Sequence, residues 1–166
     1  MAASTQISLE EYLRASFEGM DQEYVDGEIL ERAVPTERHS RAQARLAAWL
    51  VRLEEKQAPL QWRPELRVRV GERRYRVVDI AVFSSPPVEE VPSSPPLIAI
   101  EILSPDDRFA EVVAKLEEYR AWGVAHVWLV DPMSRKIYVY SAGLSETDAF
   151  RLPEYGVDIP AAEIFR

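Results

Sequence analysis

The stretch from Leu97 to Val130 constrains the fold more than any other part of the sequence. It opens with the apolar run Leu97-Ile-Ala-Ile-Glu-Ile-Leu103 and closes with Ala125-His-Val-Trp-Leu-Val130. Continuous apolar runs of this length are what strands buried on both faces require. Between them, Val112, Leu116 and Tyr119 recur at the spacing of one helix face within Arg108–Trp122. Strand, helix, strand over this distance predicts a right-handed crossover joining two parallel strands, since an antiparallel pair needs only a tight turn.

The segments around that unit read as hairpins and further helices. Ser8-Leu-Glu-Glu11 has the form of a capping box and predicts a short helix to about Ser16. Gln22–Val25, the turn Asp26-Gly27 and Glu28–Val34 predict a hairpin. Thr36 can cap a long helix to about Gln57, with Ala42, Leu46, Trp49, Leu50 and Leu53 inward and His39 on the same stripe. Trp62–Val70 alternates, Gly71-Glu72 turns, and Tyr75–Phe83 follows with Tyr75, Val77, Asp79, Ala81 and Phe83 on one face. A proline- and serine-rich loop spans Ser84–Pro96. Asp131-Pro132 turns the chain into Lys136–Tyr140, and Asp158–Phe165 closes with a short helix. The expected architecture is a single α/β domain over residues 1–166. It has a mixed central sheet flanked by helices, an N-terminal helix and hairpin, and a flexible stretch at residues 1–6.

Composition excludes several function classes. A net charge of -8 argues against a protein that coats nucleic acid indiscriminately, though a local basic groove remains compatible with it. No cysteine means no disulfide framework and no thiolate metal site. No apolar run approaches the roughly 20 residues of a membrane helix, and the start carries no signal-peptide pattern. Together these point to a cytoplasmic protein with no membrane partner.

The chemistry lies in three residues that stand where charge is costly. Lys56, Lys115 and Lys136 are the only lysines among 20 Lys and Arg residues. Lys115 falls three residues after Val112 and four before Tyr119, so it points inward with them. Asp79 and Glu101 each interrupt an apolar strand, and a buried carboxylate is expensive unless paired or bound to metal. If their strands are neighbours, both carboxylates can converge on one hard cation. Mg²⁺ or Mn²⁺ suits such a pair, with the backbone carbonyl of Ile102 as a further ligand. Such a metal would activate water against a phosphodiester, and an inward lysine would orient that water or offset developing charge. Salt bridges to the many arginines are the competing reading of both acids. His39 and Glu28 are accessory candidates, set against a structural histidine and an exposed hairpin charge. Arg108, at the start of the helix, could reach a phosphate or simply pair at the surface. The cluster Arg63, Arg67, Arg69, Arg73, Arg74 and Arg76 reads better as a solvated strand surface than as a DNA track.

Val78-Asp79, Glu101-Ile-Leu-Ser-Pro105, Lys115-x-x-x-Tyr119, Gly123-Val124 and Trp128-Leu-Val-Asp-Pro132 together resemble the Uma2 family of restriction-endonuclease-like proteins. Tyr24-Val-Asp-Gly-Glu28, His39 and the ending Ile159–Phe165 fit the same pattern, so the resemblance covers nearly the whole chain. It implies the PD-(D/E)XK nuclease fold, a DNA phosphodiesterase activity and a divalent metal, with Asp79 and Glu101 as the metal-binding acids. The broader superfamily places its lysine two residues after the second acid, where this chain has Leu103. The Uma2 pattern resembles a relocation of that lysine to the following helix, which is Lys115. Val78 also replaces the usual proline before the aspartate. Fold analogy further suggests a homodimer, one copy for each DNA strand. Two alternatives stay open: a catalytically silent nucleic-acid-binding or assembly module, and a metal-dependent phosphoesterase acting on RNA or a small molecule.

Overall fold

Two parallel strands joined through a helix form the centre of the molecule, as the Leu97–Val130 pattern requires. A computed structural model describes residues 6–15, 22–56 and 58–166. In chain order, α1 (Leu9–Arg14) precedes a hairpin of β1 (Glu23–Val25) and β2 (Glu28–Leu30). The long helix α2 (Glu37–Glu55) leads to β3 (Gln61–Gly71) and β4 (Arg74–Phe83). The crossover is β5 (Ile98–Ile102), α3 (Phe109–Trp122) and β6 (His126–Asp131). The chain ends with β7 (Lys136–Tyr140), β8 (Leu144–Thr147), β9 (Ala149–Leu152), β10 (Val157–Pro160) and α4 (Ala161–Ile164).

The main sheet runs β2-β1-β4-β5-β6-β7-β8, with β3 also paired to β4, while β9 and β10 form a separate antiparallel pair. β5 and β6 are parallel and the other pairings are antiparallel. Helices cover both faces. Ala42, Leu46 and Leu50 of α2 pack on Ile80, Val82, Ile100 and Trp128, where the Trp128 ring stacks on Phe150 at 4.3 Å. Leu116 and Tyr119 of α3 pack on Val78, Ala81, Ala99 and Leu129 from the other side. Among the described residues no helix is long and apolar enough to cross a membrane.

Local chemistry sets the element ends. Ser8 Oγ accepts from the Glu11 amide while the Glu11 carboxylate accepts from the Ser8 amide, the reciprocal pair the sequence predicts. Thr36 caps α2 through the His39 amide. Gly123 ends α3 at φ 116°, a left-handed position that favours glycine.

Several boundaries differ from the sequence reading. β2 stops at Leu30 rather than Val34, which frees residues 31–36 to cross toward α2. The β3–β4 turn is Glu72-Arg73, one residue later than expected. Strict alternation fails along β4, because Val78 shares a cluster with Ala81 and Phe83 while Ile80 and Val82 face α2. The break falls at Asp79, opposite Glu65, which takes a positive φ of 48° and is skipped by the ladder. β8, β9 and β10 lie in a tail whose strands, at four residues each, are too short to establish a period. Residues 1–5, Ser16 and Gln57 lie outside the described residues, and with them the expected flexible start and the expected ends of the first two helices.

Candidate active site

A gap in the sheet builds the site. β3 pairs along one edge of β4 from Arg74 to Phe83, with a break at Asp79. The opposite edge is shared between β1, at Arg74–Tyr75, and β5, at Ile80–Val82. The segment Arg76–Asp79 between them meets no strand on that edge. Unpaired backbone groups inside a protein are costly, and here side chains take the place of the missing strand. The Val77 amide donates to Glu23 Oε1 at 3.0 Å, and the Val77 carbonyl accepts from Lys115 Nζ at 3.0 Å. The Asp79 carbonyl accepts from Gln43 Nε2 at 3.1 Å.

The β4–β5 ladder ends at Ile80↔Ile100, so Asp79 and Glu101 are the next residues in register, where the strands part. Both are buried. Asp79 Oδ2 accepts from the Ile102 amide at 2.7 Å and faces His39 Nε2 at 3.4 Å. Asp79 Oδ1 accepts from Arg32 Nη2 at 2.7 Å, and the same guanidinium holds Glu65. Glu101 Oε1 accepts from the Tyr119 hydroxyl at 2.8 Å, and Oε2 from Lys115 at 3.0 Å. The Lys115 ammonium also meets Glu23 Oε1 at 2.7 Å. An ammonium has three N–H groups, and Val77, Glu101 and Glu23 use all three.

These contacts set the protonation states. Burial raises the Glu101 carboxyl, Lys115 opposes it, and the Asp79 and Glu23 carboxylates add to the rise, leaving the group pushed up to about 7. Burial would also raise Glu23, but Lys115 and Arg76 override it and hold the group at about 2. Asp79 is lowered against its burial by His39, Lys115 and Arg32. Burial opposes charging of His39, yet Asp79 and Glu65 raise the imidazole above its ordinary value. Against this, His39 Nδ1 is buried without a hydrogen-bond partner. A neutral ring with its proton on Nε2 leaves only a bare lone pair there, whereas an imidazolium would bury an unpaired N–H. We assign the neutral ring on that ground.

A cavity of about 890 Å³ opens onto Glu23, Arg32, His39, Asp79, Glu101 and Lys115. Asp79, Glu101, Lys115 and His39 are therefore brought together, and Ile102 contributes its amide to Asp79. Glu28 is not: it is exposed on the outer strand β2, at the cavity rim. The buried acid of the hairpin is Glu23, which the sequence reading missed, along with Arg32 and Gln43. Arg108 also lines the cavity, with its side chain exposed and a surface pair to Glu111 at 3.4 Å. The arginine cluster is largely spent internally. Arg74 and Arg76 both hold Glu118, Arg76 also holds Glu23, and Arg67 covers the Tyr12 ring at 4.9 Å.

The family described as "Putative restriction endonuclease", Uma2, matches residues 9–163. The chain belongs to the Uma2 family. Among solved structures, a "putative nuclease belonging to DUF820" from Anabaena variabilis ATCC 29413 is similar, with a TM-score of 0.82 at 23% identity. The match covers 96% of this chain and 97% of that one. At that identity the likeness shows the fold alone, which is restriction-endonuclease-like. Among curated proteins, none matches this sequence.

Uma2 membership raises the question of a divalent metal. Among the described residues no three His, Asp or Glu side chains gather into a metal cage. A magnesium site does not need one, because water and substrate oxygens complete the shell around one or two carboxylates. Asp79 and Glu101 supply that donor set on the cavity wall. Burial, and after it the Asp79 and Glu23 carboxylates, raise Glu101, and a cation at that position would oppose the rise. The residues fit a hard divalent ion, with Arg32 already seated against one of the two acids.

Proposed function

We propose that this chain is a metal-dependent DNA endonuclease that hydrolyses phosphodiester bonds. The observation that carries the reading is the parting of β4 and β5 at Asp79 and Glu101, with Lys115 3.0 Å from Glu101. Uma2 membership and the nuclease-like fold support it.

Asp79 and Glu101 would hold Mg²⁺ or Mn²⁺, which when bound supplies an activated water and charge relief at the phosphate. The chain's own residues prepare that position. Lys115 and Tyr119 fix the two oxygens of Glu101, and Lys115 opposes the rise that burial imposes on that carboxyl. Because all three ammonium donors are engaged, Lys115 acts through Glu101 unless one contact is released on substrate binding. His39 and the Ile102 amide orient Asp79. Arg32 is held by Asp79 and Glu65, so Arg108, which lines the cavity with its side chain exposed, is the freer cation to meet an entering phosphate. Each chain carries one such cavity, so cutting both strands of a duplex takes two copies or two encounters.

The test is nicking of supercoiled plasmid across a Mg²⁺ and Mn²⁺ series by the wild-type protein, Asp79→Asn and Glu101→Gln. Nicking that is lost in both variants supports the proposal. Intact plasmid under every metal sinks it.

One observation favours a second reading, the silent binding module: Arg32 already neutralises Asp79. Salt-sensitive DNA binding without cleavage would select it. Turnover of small phosphodiesters or RNA alone would select a phosphoesterase.

A further inference from the structure

A smaller cavity of about 210 Å³ opens beside the first turn of α2. Its floor is apolar, with Pro132 and Ile164 buried and Phe165 half-buried. Its rim carries Arg38, Arg41 and Arg135, all exposed. Arg41 is paired with Glu37 one turn earlier on the same helix. Arg38 and Arg135 have no carboxylate partner among the described residues. Arg38 reaches the Met133 sulfur at 3.6 Å, a weak acceptor, and Arg135 reaches the Phe165 carbonyl at 3.2 Å.

What sets these two arginines apart is their place, since both stand on the rim of one cavity with an apolar floor. Arg74 and Arg76 on β4 are consumed by Glu118, Glu23 and Asp26. Arg38 and Arg135, by contrast, keep their charge available at the cavity rim. The β6–β7 turn presents Arg135 by design of its backbone. The Asp131 carboxylate accepts from the amides of Met133 and Ser134, and Arg135 follows at a φ of 59°.

The position relative to the catalytic cavity follows from the sheet. Ile102 pairs with Val130 in the parallel β5–β6 ladder, so the turn after Asp131 stands at the same end as Glu101. Neighbouring strands lie about 4.8 Å apart, which puts the turn roughly 5 to 10 Å from the end of β5. Arg38 is also the residue next to His39 on α2, so one helix turn borders both cavities. Successive nucleotides rise about 3.4 Å along a strand. A guanidinium fork matches the oxygens of a phosphate, and such contacts fix register without reading sequence.

We propose that the Arg38–Arg135 pocket binds a backbone phosphate of the DNA strand, close along that strand to the one in the catalytic cavity. The proposal rests on the nuclease reading and adds a subsite to it. The apolar floor faces the sugar, and the two unpaired arginines take the diester oxygens.

The test is the salt dependence of binding to a short labelled duplex, read by fluorescence anisotropy with and without Ca²⁺. Wild type, Arg38→Gln, Arg135→Gln, the double variant and the exposed control Arg151→Gln are compared, with thermal melting to verify folding. Each lost phosphate contact should lower the slope of log affinity against log salt by about 0.9. Both arginines hold the same phosphate, so the double variant should lose about 0.9 in all, each single variant no more than that, and Arg151→Gln much less. A slope unchanged in the folded double variant overturns the proposal, as does equal loss in Arg151→Gln or no salt-dependent binding by wild type. Plasmid nicking in the same preparations separates the two claims. Nicking with an unchanged slope removes the pocket and keeps the nuclease. The predicted slope loss without nicking under any metal removes the nuclease and keeps the pocket.

Discussion

The guanidinium of Arg32 lies 2.7 Å from Oδ1 of Asp79, so the acid next in register to Glu101 is already paired with a cation. Both side chains are largely buried, at 11% and 4% side-chain exposure. A metal arriving at Asp79 must displace this group or share the carboxylate with it.

Replacing Arg32 by Gln should therefore tighten divalent-ion binding, by roughly tenfold or about 1.4 kcal/mol. The metal-free variant should melt lower than wild type, because Asp79 loses its partner, and added Mg²⁺ or Mn²⁺ should recover much of the loss. Calorimetric titration and thermal melting read the two effects. Equal or weaker metal affinity in the variant would show that Arg32 does not compete.

Lys115→Met should cost about 3–5 kcal/mol of stability, since it leaves two carboxylates and a backbone carbonyl facing one another in the interior. Adding Glu23→Gln should recover part of that loss, because one of the stranded charges is gone. Urea denaturation of the two singles and the double measures it. Additive losses would show that the ammonium and Glu23 are not coupled.

Stability should respond to pH with opposite signs from two acids. Glu101 has a folded value raised to about 7, so its contribution is full below its unfolded value near 4.5 and is lost as pH rises through 7. Glu23 has a folded value lowered to about 2, so its contribution is full above about 4.5 and is lost as pH falls toward 2. Melting of the metal-free protein should drop by at least a few degrees between pH 5 and pH 8, reading the raised value of Glu101. Glu101→Gln should flatten that limb. A wild-type curve already flat there would contradict the assignment.

Tyr119→Phe removes the hydroxyl that donates to Glu101 at 2.8 Å. A hydrogen bond to a charged group is worth about 1.5–3 kcal/mol, so Glu101 should become harder to ionise. If the protein nicks DNA, the acid limb of its pH profile should move to higher pH in this variant, with little change at the alkaline end. A uniform drop at every pH would assign Tyr119 a packing role instead.

The strongest sequence signals mapped onto the central elements. Asp79, Glu101 and Lys115 were legible because each charge interrupts an apolar pattern, and burial of an unexplained charge needs a partner. The crossover was legible from two apolar runs separated by a helical period. Glu23 was not, since a three-residue strand shows no period and Glu28, on its hairpin partner, looks equivalent by residue type. Arg32 was hidden because residues 31–36 carry no regular structure and their path depends on where β2 ends. Gln43 was hidden because its target, a backbone carbonyl in the gap of β4, exists only once three strands have met. The face of β4 was misread for the same reason: alternation assumes an unbroken ladder, and the ladder breaks at Asp79.

The substitution of side chains for a strand at Val77 ties the charges of the cavity to the integrity of the sheet. The amide of Val77 donates to the carboxylate of Glu23, and its carbonyl is held by the ammonium of Lys115. Whatever loosens those charges also unzips the middle of the molecule, and whatever lets the middle breathe scatters those charges. A single backbone proton, followed by isotope exchange, thus reports on the readiness of the whole cavity.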